Sequence, residues 1–240
     1  MSASIDHADH IGRAATRIVA LARDGDLSTP APGLGRWKVE DVVAHLGGVH
    51  EWANRILRES SMDGPGARKS KLAGSDLIDW FEAGARSLVE TIRSTDPTAP
   101  CPNFNPGSPS LSQWWFRRQL HETMVHRWDI ERAFDDTTAI VGSIAVDGVD
   151  EFLDTFVRTR GKQSLTAPLT ITSRKPERSW TLRPAAKPGR LDVAPGGAED
   201  AVAQLSAEAE ALLLTLWGRL DPDQLAVDGD ATVAASYFGP

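Results

Sequence analysis

Glu122 and His126 stand four residues apart in the stretch LSQWWFRRQLHETMVHRWDIERAF, residues 111–134. That stretch is rich in helix formers and has neither Gly nor Pro, so it reads as one long helix. A helix turns about 100° per residue, which leaves Glu122 and His126 roughly 40° apart and able to meet at one point. Arg118 and Asp129 fall along the same stripe. His121, five residues before His126, is about 140° round and does not easily share that point. The text H-E-x-x-x-H differs from the H-E-x-x-H of zinc proteases, where two histidines share a face with the Glu between them. One carboxylate and one imidazole make two-thirds of a His/His/carboxylate metal site, and the second histidine has to come from elsewhere.

A helix beginning near Val39, EDVVAHLGGVHEWANRILRES, offers one. Glu40 and Asp41 in its first turn favour the positive end of the helix dipole. Val42, His45, Val49 and Trp52 recur in steps of three and four, so His45 is on the inward stripe, either as a core histidine or as a ligand. His50 is about 140° away from it. Gly47 and Gly48 each cost the helix roughly 1 kcal/mol against Ala, which makes sense if another backbone or a ligand approaches closely. On the first helix, Asp129 is either the partner that fixes the tautomer of His126 or a surface ion-pair partner of Arg127 or Arg132. Arg117 and Arg118 either attract an anion or form a solvated basic face. Trp114, Trp115 and Trp128 read as core, with one of them walling a pocket.

Composition narrows the classes. At 240 residues the chain holds one large domain or two modest ones. Its 41% hydrophobic and 25% charged residues are ordinary for a soluble globular protein. A net charge of −7, with no stretch that concentrates Lys and Arg, argues against a nucleic-acid binder. One cysteine, Cys101, rules out an internal disulfide framework and suits a reducing cytoplasm; in its Pro-rich loop, APCPNFNPGSP, it reads as incidental. No apolar run approaches a membrane span, and the first residues lack a signal-peptide core, so the expectation is a cytoplasmic protein. Eight Trp against one Tyr point to large apolar walls with single donors.

The remaining chain supplies the scaffold. Residues 4–25 form an amphipathic helix closed by Gly25, with His7 and His10 facing solvent on its first turns. A Pro/Gly-rich connection leads to Trp37, and residues 62–73 read as a polar loop. Ser75 is the expected cap of a third helix with Leu77, Trp80, Phe81, Leu88 and Ile92 on its buried face. These three and the 111–134 helix predict a four-helix bundle with a site on its inner faces, over residues 1–138. A helix from about Val146 to Arg160, ending at Gly161, opens the second part. Period-two alternation then predicts strands at 167–173, 178–184, 189–195, 201–206 and 225–230, a helix through EAEALLLTLWGRL, and a terminal helix through ATVAASYF. Residues 139–240 are thus a small α+β domain, and the whole chain is α+β.

The strings WKVEDVVAHL (37–46) and HETMVHRWD (121–129) resemble the two metal-binding helices of the DinB-like superfamily. The tail LLLTLWGR (212–219) followed by VDGD (227–230) is similar to the C-terminal domain of its mycothiol-dependent maleylpyruvate isomerase family. The resemblance spans nearly the whole chain and both domains in order. It implies that zinc is held by His45, Glu122 and His126, the same three that helical geometry selects; nickel and iron suit the same donors. It also implies a functional arginine in the G-R string, here Arg219, whose fork grips a carboxylate. Arg219 reads equally as a surface residue beside Asp221-Pro222.

Two imidazoles and one carboxylate leave zinc an open position, the arrangement of a catalytic site. A thiol bound there is ionised, and the family's thiol is mycothiol. The thiolate attacks a small electrophile: addition, rotation and elimination isomerise a maleylpyruvate-like double bond, while release of the adduct is S-transfer. The expected partners are that electrophile and the low-molecular-weight thiol. Two other readings stand beside this one: zinc-bound hydroxide hydrolysing an amide or ester, and a non-catalytic metal- or thiol-binding protein.

Overall fold

The computed structural model describes residues 5–105, 107–157, 165–187 and 189–238, which fall into two units, residues 1–138 and 139–240. Helix α1 (His7–Asp24) starts where the Asp6 carboxylate accepts the Asp9 N–H, satisfying one of the donors a helix start leaves unpaired. It is followed by α2 (Val39–Glu59), α3 (Gly74–Ser94) and α4 (Ser112–Ala133). α1 and α2 each pack against both α3 and α4, which makes the expected four-helix bundle. Ile18, Val42, Leu46, Leu77, Phe81 and Ile130 are buried in its core, each contributing roughly 1.5–3 kcal/mol by leaving water.

The departures from expectation are local. Ser75 does not cap α3: the helix starts two residues earlier than expected, at Gly74, with Ala73 at the cap position and no side-chain hydrogen bond. The chain enters through Gly74 at φ +56°, a left-handed conformation glycine adopts without strain, so Ser75 already lies inside the first turn. His7 and His10 are half-buried rather than open to solvent. His50 and His121 are fully buried although they lie off the stripe that carries His45 or His126. A bundle helix touches two neighbours, so its buried arc is wider than one stripe. Gly47 and Gly48 do mark close approaches: a Cβ on Gly47 would collide with the Trp80 ring, and one on Gly48 with the Arg68 carbonyl.

The second unit opens with α5 (Gly142–Glu151) and a π-helical turn, Phe152–Val157. The helix starts four residues before the expected Val146, and its expected end at Arg160–Gly161 lies outside the described residues. Strands β1 (Leu169–Arg174), β2 (Glu177–Pro184), β3 (Leu191–Pro195), β4 (Ala203–Ala207) and β5 (Ala226–Gly229) form one sheet in the order β3-β2-β1-β4-β5. β1 is antiparallel to β2 and parallel to β4, with Ile171 opposite both Trp180 and Leu205. Leu169, Ile171, Trp180 and Leu182 are buried, and so are Thr170 and Thr181 between them. The apolar residues alternate as the period-two pattern predicts, while burial at these positions extends to both faces. Helix α6 (Ala209–Leu216) stops short of the expected end. Gly218 at φ +72° turns the chain, with Gly218 N–H donating to Thr215 O and Arg219 N–H to Leu214 O; this paired arrangement closes a helix at glycine. A short α7 (Ala231–Ser236) ends the unit.

Candidate metal centre

His45 from α2 meets Glu122 and His126 from α4. Glu122 Oε1 is 3.2 Å from His45 Nε2 and 3.3 Å from His126 Nε2, and the three donor atoms lie within 4.8 Å of one another. Tetrahedral zinc with bonds of about 2.0–2.1 Å holds its ligand atoms about 3.3 Å apart. The two edges at Glu122 therefore match that polyhedron, and two nitrogens with one carboxylate oxygen are a donor set that zinc accepts. His45, with 30% of its side chain exposed against 8% for His126, is on the solvent side of the cluster.

Each donor is held from behind. His126 Nδ1 is 2.8 Å from Asp129 Oδ2. A carboxylate only accepts, so Nδ1 carries the proton and Nε2 is the donor turned to the site. Of the two roles open to Asp129, the structure shows the tautomer-fixing one. Arg118, itself buried, pairs with the other oxygen of Glu122, Oε2; it is not a solvated basic face. Trp37 lies against His45 with ring centroids 5.3 Å apart, and the Lys69 ammonium sits 3.8 Å above Trp37. Lys69 also pairs with Asp41, and the Ser70 N–H donates to Ala44 O, so residues 68–70 run along α2 beside His45.

Charge is sharply divided here. Burial opposes ionisation of Glu122, yet Arg118, His126 and His45 hold it well below the ordinary carboxylate range. Burial also opposes a charged His126, but hydrogen bonds to Asp129 and Glu122 prevail and raise it to about 9. The metal-free site thus keeps a proton where a cation would sit. His50, pushed down to about 3 by burial, is neutral and donates from Nε2 to Thr123 Oγ1, whose hydroxyl donates to Gln119 O. It takes no part in the three-residue cluster, nor does His121. Cys101 is buried with its thiol pKa raised by burial, which removes it as a nucleophile. Trp114, Trp115 and Trp128 are core. Arg219 lies three residues past α6, its Nη1 donating to Trp217 O at 2.7 Å.

Residues 8–131 match the family described as the mycothiol maleylpyruvate isomerase N-terminal domain, and residues 143–236 match its C-terminal domain. Together the two take in most of the chain. It belongs to the mycothiol-dependent maleylpyruvate isomerase family. Membership places it among isomerase enzymes and bears out the resemblance carried by the 37–46, 121–129 and 212–230 strings. Each maleylpyruvate isomerase domain falls within one of the two structural units. A solved mycothiol-dependent maleylpyruvate isomerase superposes with a TM-score of 0.65 at 13% identity, over 94% of this chain and 93% of that one. A mutant of it with a histidine replaced by alanine gives 0.64 at the same identity and coverage. At that identity the likeness establishes the shared fold. No curated protein is a match in sequence. Among the described residues, no helix is long and apolar enough to cross a membrane.

Trp37 against His45 and the His50–Thr123–Gln119 chain were not anticipated from sequence. The W-x₇-H spacing is suggestive only once the turn at 29–39 is known to fold Trp37 back. There, Ala31 N–H donates to Trp37 O and Val39 N–H to Thr29 O.

Proposed function

We propose that this protein is a mycothiol-dependent isomerase of small conjugated electrophiles such as maleylpyruvate, with a metal centre formed by His45, Glu122 and His126. The convergence of these three donors, with edges of 3.2 and 3.3 Å, carries the proposal. When bound there, zinc supplies a Lewis acid that ionises a thiol at neutral pH. His45 and His126 contribute neutral nitrogens and Glu122 one negative charge, so the site retains a net charge of about +1 that favours an incoming thiolate. Asp129 holds His126 in the tautomer that leaves Nε2 free. Trp37 closes one side of His45 with an apolar wall. Arg219 is assigned to the substrate's carboxylate, for which a guanidinium offers paired donors.

Metal analysis combined with calorimetric titration of mycothiol tests the proposal. The native protein should retain stoichiometric metal and bind the thiol, and His126→Ala should lose both. Thiol binding that survives His126→Ala unchanged contradicts the proposal. Product analysis then separates isomerisation, which returns the thiol, from S-transfer, which leaves a conjugate.

A further inference from the structure

The buried ion pair behind the centre has no counterpart in the roles above. Arg118 and Glu122 are one helical turn apart on α4, and the guanidinium engages Oε2 while Oε1 lies between the two imidazoles. The Arg118 side chain is only 6% exposed. A carboxylate so placed is shared between two cations, because the oxygen facing the imidazoles is the one left for a metal. We propose that Arg118 is a positioning residue that restricts Glu122 to a single donor oxygen and weakens it as a ligand. The centre thereby keeps room for the thiol and pulls harder on the thiol's electrons. This rests on the metal reading of His45, Glu122 and His126.

Arg118 acts on the metal with a sign that a structural strut would not have. Arg118 repels a bound divalent cation, draws density from Glu122, and in the metal-free protein stabilises a carboxylate that burial disfavours. Removing it makes the metal-free site costlier and Glu122 a stronger donor, free to offer both oxygens. Metal should therefore bind more tightly and thiol more weakly. A residue that only braces the helix would, when removed, loosen the metal together with the fold.

The test uses the full-length protein with Arg118→Met, Arg118→Gln and Arg118→Lys. Gln retains a hydrogen bond to Oε2 without the charge, and Lys retains the charge without the fork. Zinc affinity is measured by chelator competition, mycothiol affinity by calorimetry on zinc-loaded protein, and coordination by the visible spectrum of the cobalt(II)-substituted forms. Losing an outer-shell partner typically costs a metal site about tenfold to a hundredfold in affinity; a cationic partner such as Arg118 should act on that scale with the opposite sign. A change of about that size is expected upward for zinc and downward for mycothiol in the Met and Gln variants, with Lys near the native protein. The cobalt bands should weaken in Met and Gln as the coordination number rises. Thermal melting identifies any variant that fails to fold, and Gln, the better mimic of shape, keeps the charge question answerable if Met does not fold. Zinc affinity that falls with stability while thiol affinity holds would overturn the proposal, as would native values in every variant. A native protein that takes up no zinc would refute the underlying metal reading instead, so the two failures are distinguishable.

Discussion

His126 is the residue at which the site's electrostatics become measurable. In the metal-free protein its folded pKa, about 9, lies above its ordinary value of 6.5. A group raised on folding stabilises the native state fully below its unfolded pKa, and that contribution is lost as pH rises through the folded one. Denaturant unfolding of the metal-free protein should therefore show a loss of stability between pH 6.5 and 9. That loss should disappear in His126→Gln; an unchanged profile would show that His126 is not the group responsible. Metal takes neutral histidine, so uptake in the same range should also release a proton. The Glu122–His126 pair was legible from residue identity and spacing, because their four-residue separation is a property of any helix. Arg118 was legible only as a position on the stripe. A charged side chain one turn from an acid reads as surface until the neighbouring helices are seen to bury it.

At the scale of elements, α2 carries His45 and, three residues on, its close approach to the 68–70 segment. The glycine pair lets Trp80 and the 68–70 segment lie against the helix one turn from His45. Gly48→Ala would drive a methyl group into the Arg68 carbonyl. It should cost about 1–3 kcal/mol, the usual scale of overpacking, despite Ala being the better helix former. A fall in melting temperature checks this; a rise, as helix propensity alone predicts, would show that the segment gives way freely. Helices and strands were readable here because 3.6- and two-residue periods survive in the residue text. The start of α3, the π-helical turn after α5 and the end of α6 were less so. They depend on where one backbone torsion turns left-handed or one extra residue enters a turn, and periodicity does not encode that. His50 shows the same limit: its burial follows from α3 and α4 both reaching it, through Phe81 and Thr123.

Across the whole molecule, a bundle that holds the three donors is joined to a five-stranded sheet unit in one chain, and the family's two domains account for both. The order of helices followed by strands made the α+β class evident, and the three matched strings supplied what composition alone does not. Arg219, which follows the glycine turn that ends α6, is the residue proposed to take the substrate's carboxylate. Arg219→Lys retains charge but not the fork. It should lower kcat/KM for a carboxylated substrate roughly tenfold to a hundredfold, the scale of a lost charged hydrogen bond, while metal content stays native. Native kinetics would remove Arg219 from the site. The most direct test of the account is X-ray absorption at the metal edge, before and after mycothiol. The account predicts a first shell of nitrogen and oxygen with two imidazoles, and a sulfur ligand at about 2.3 Å once the thiol is added. A shell lacking imidazole, or one that never gains sulfur from mycothiol, would contradict it.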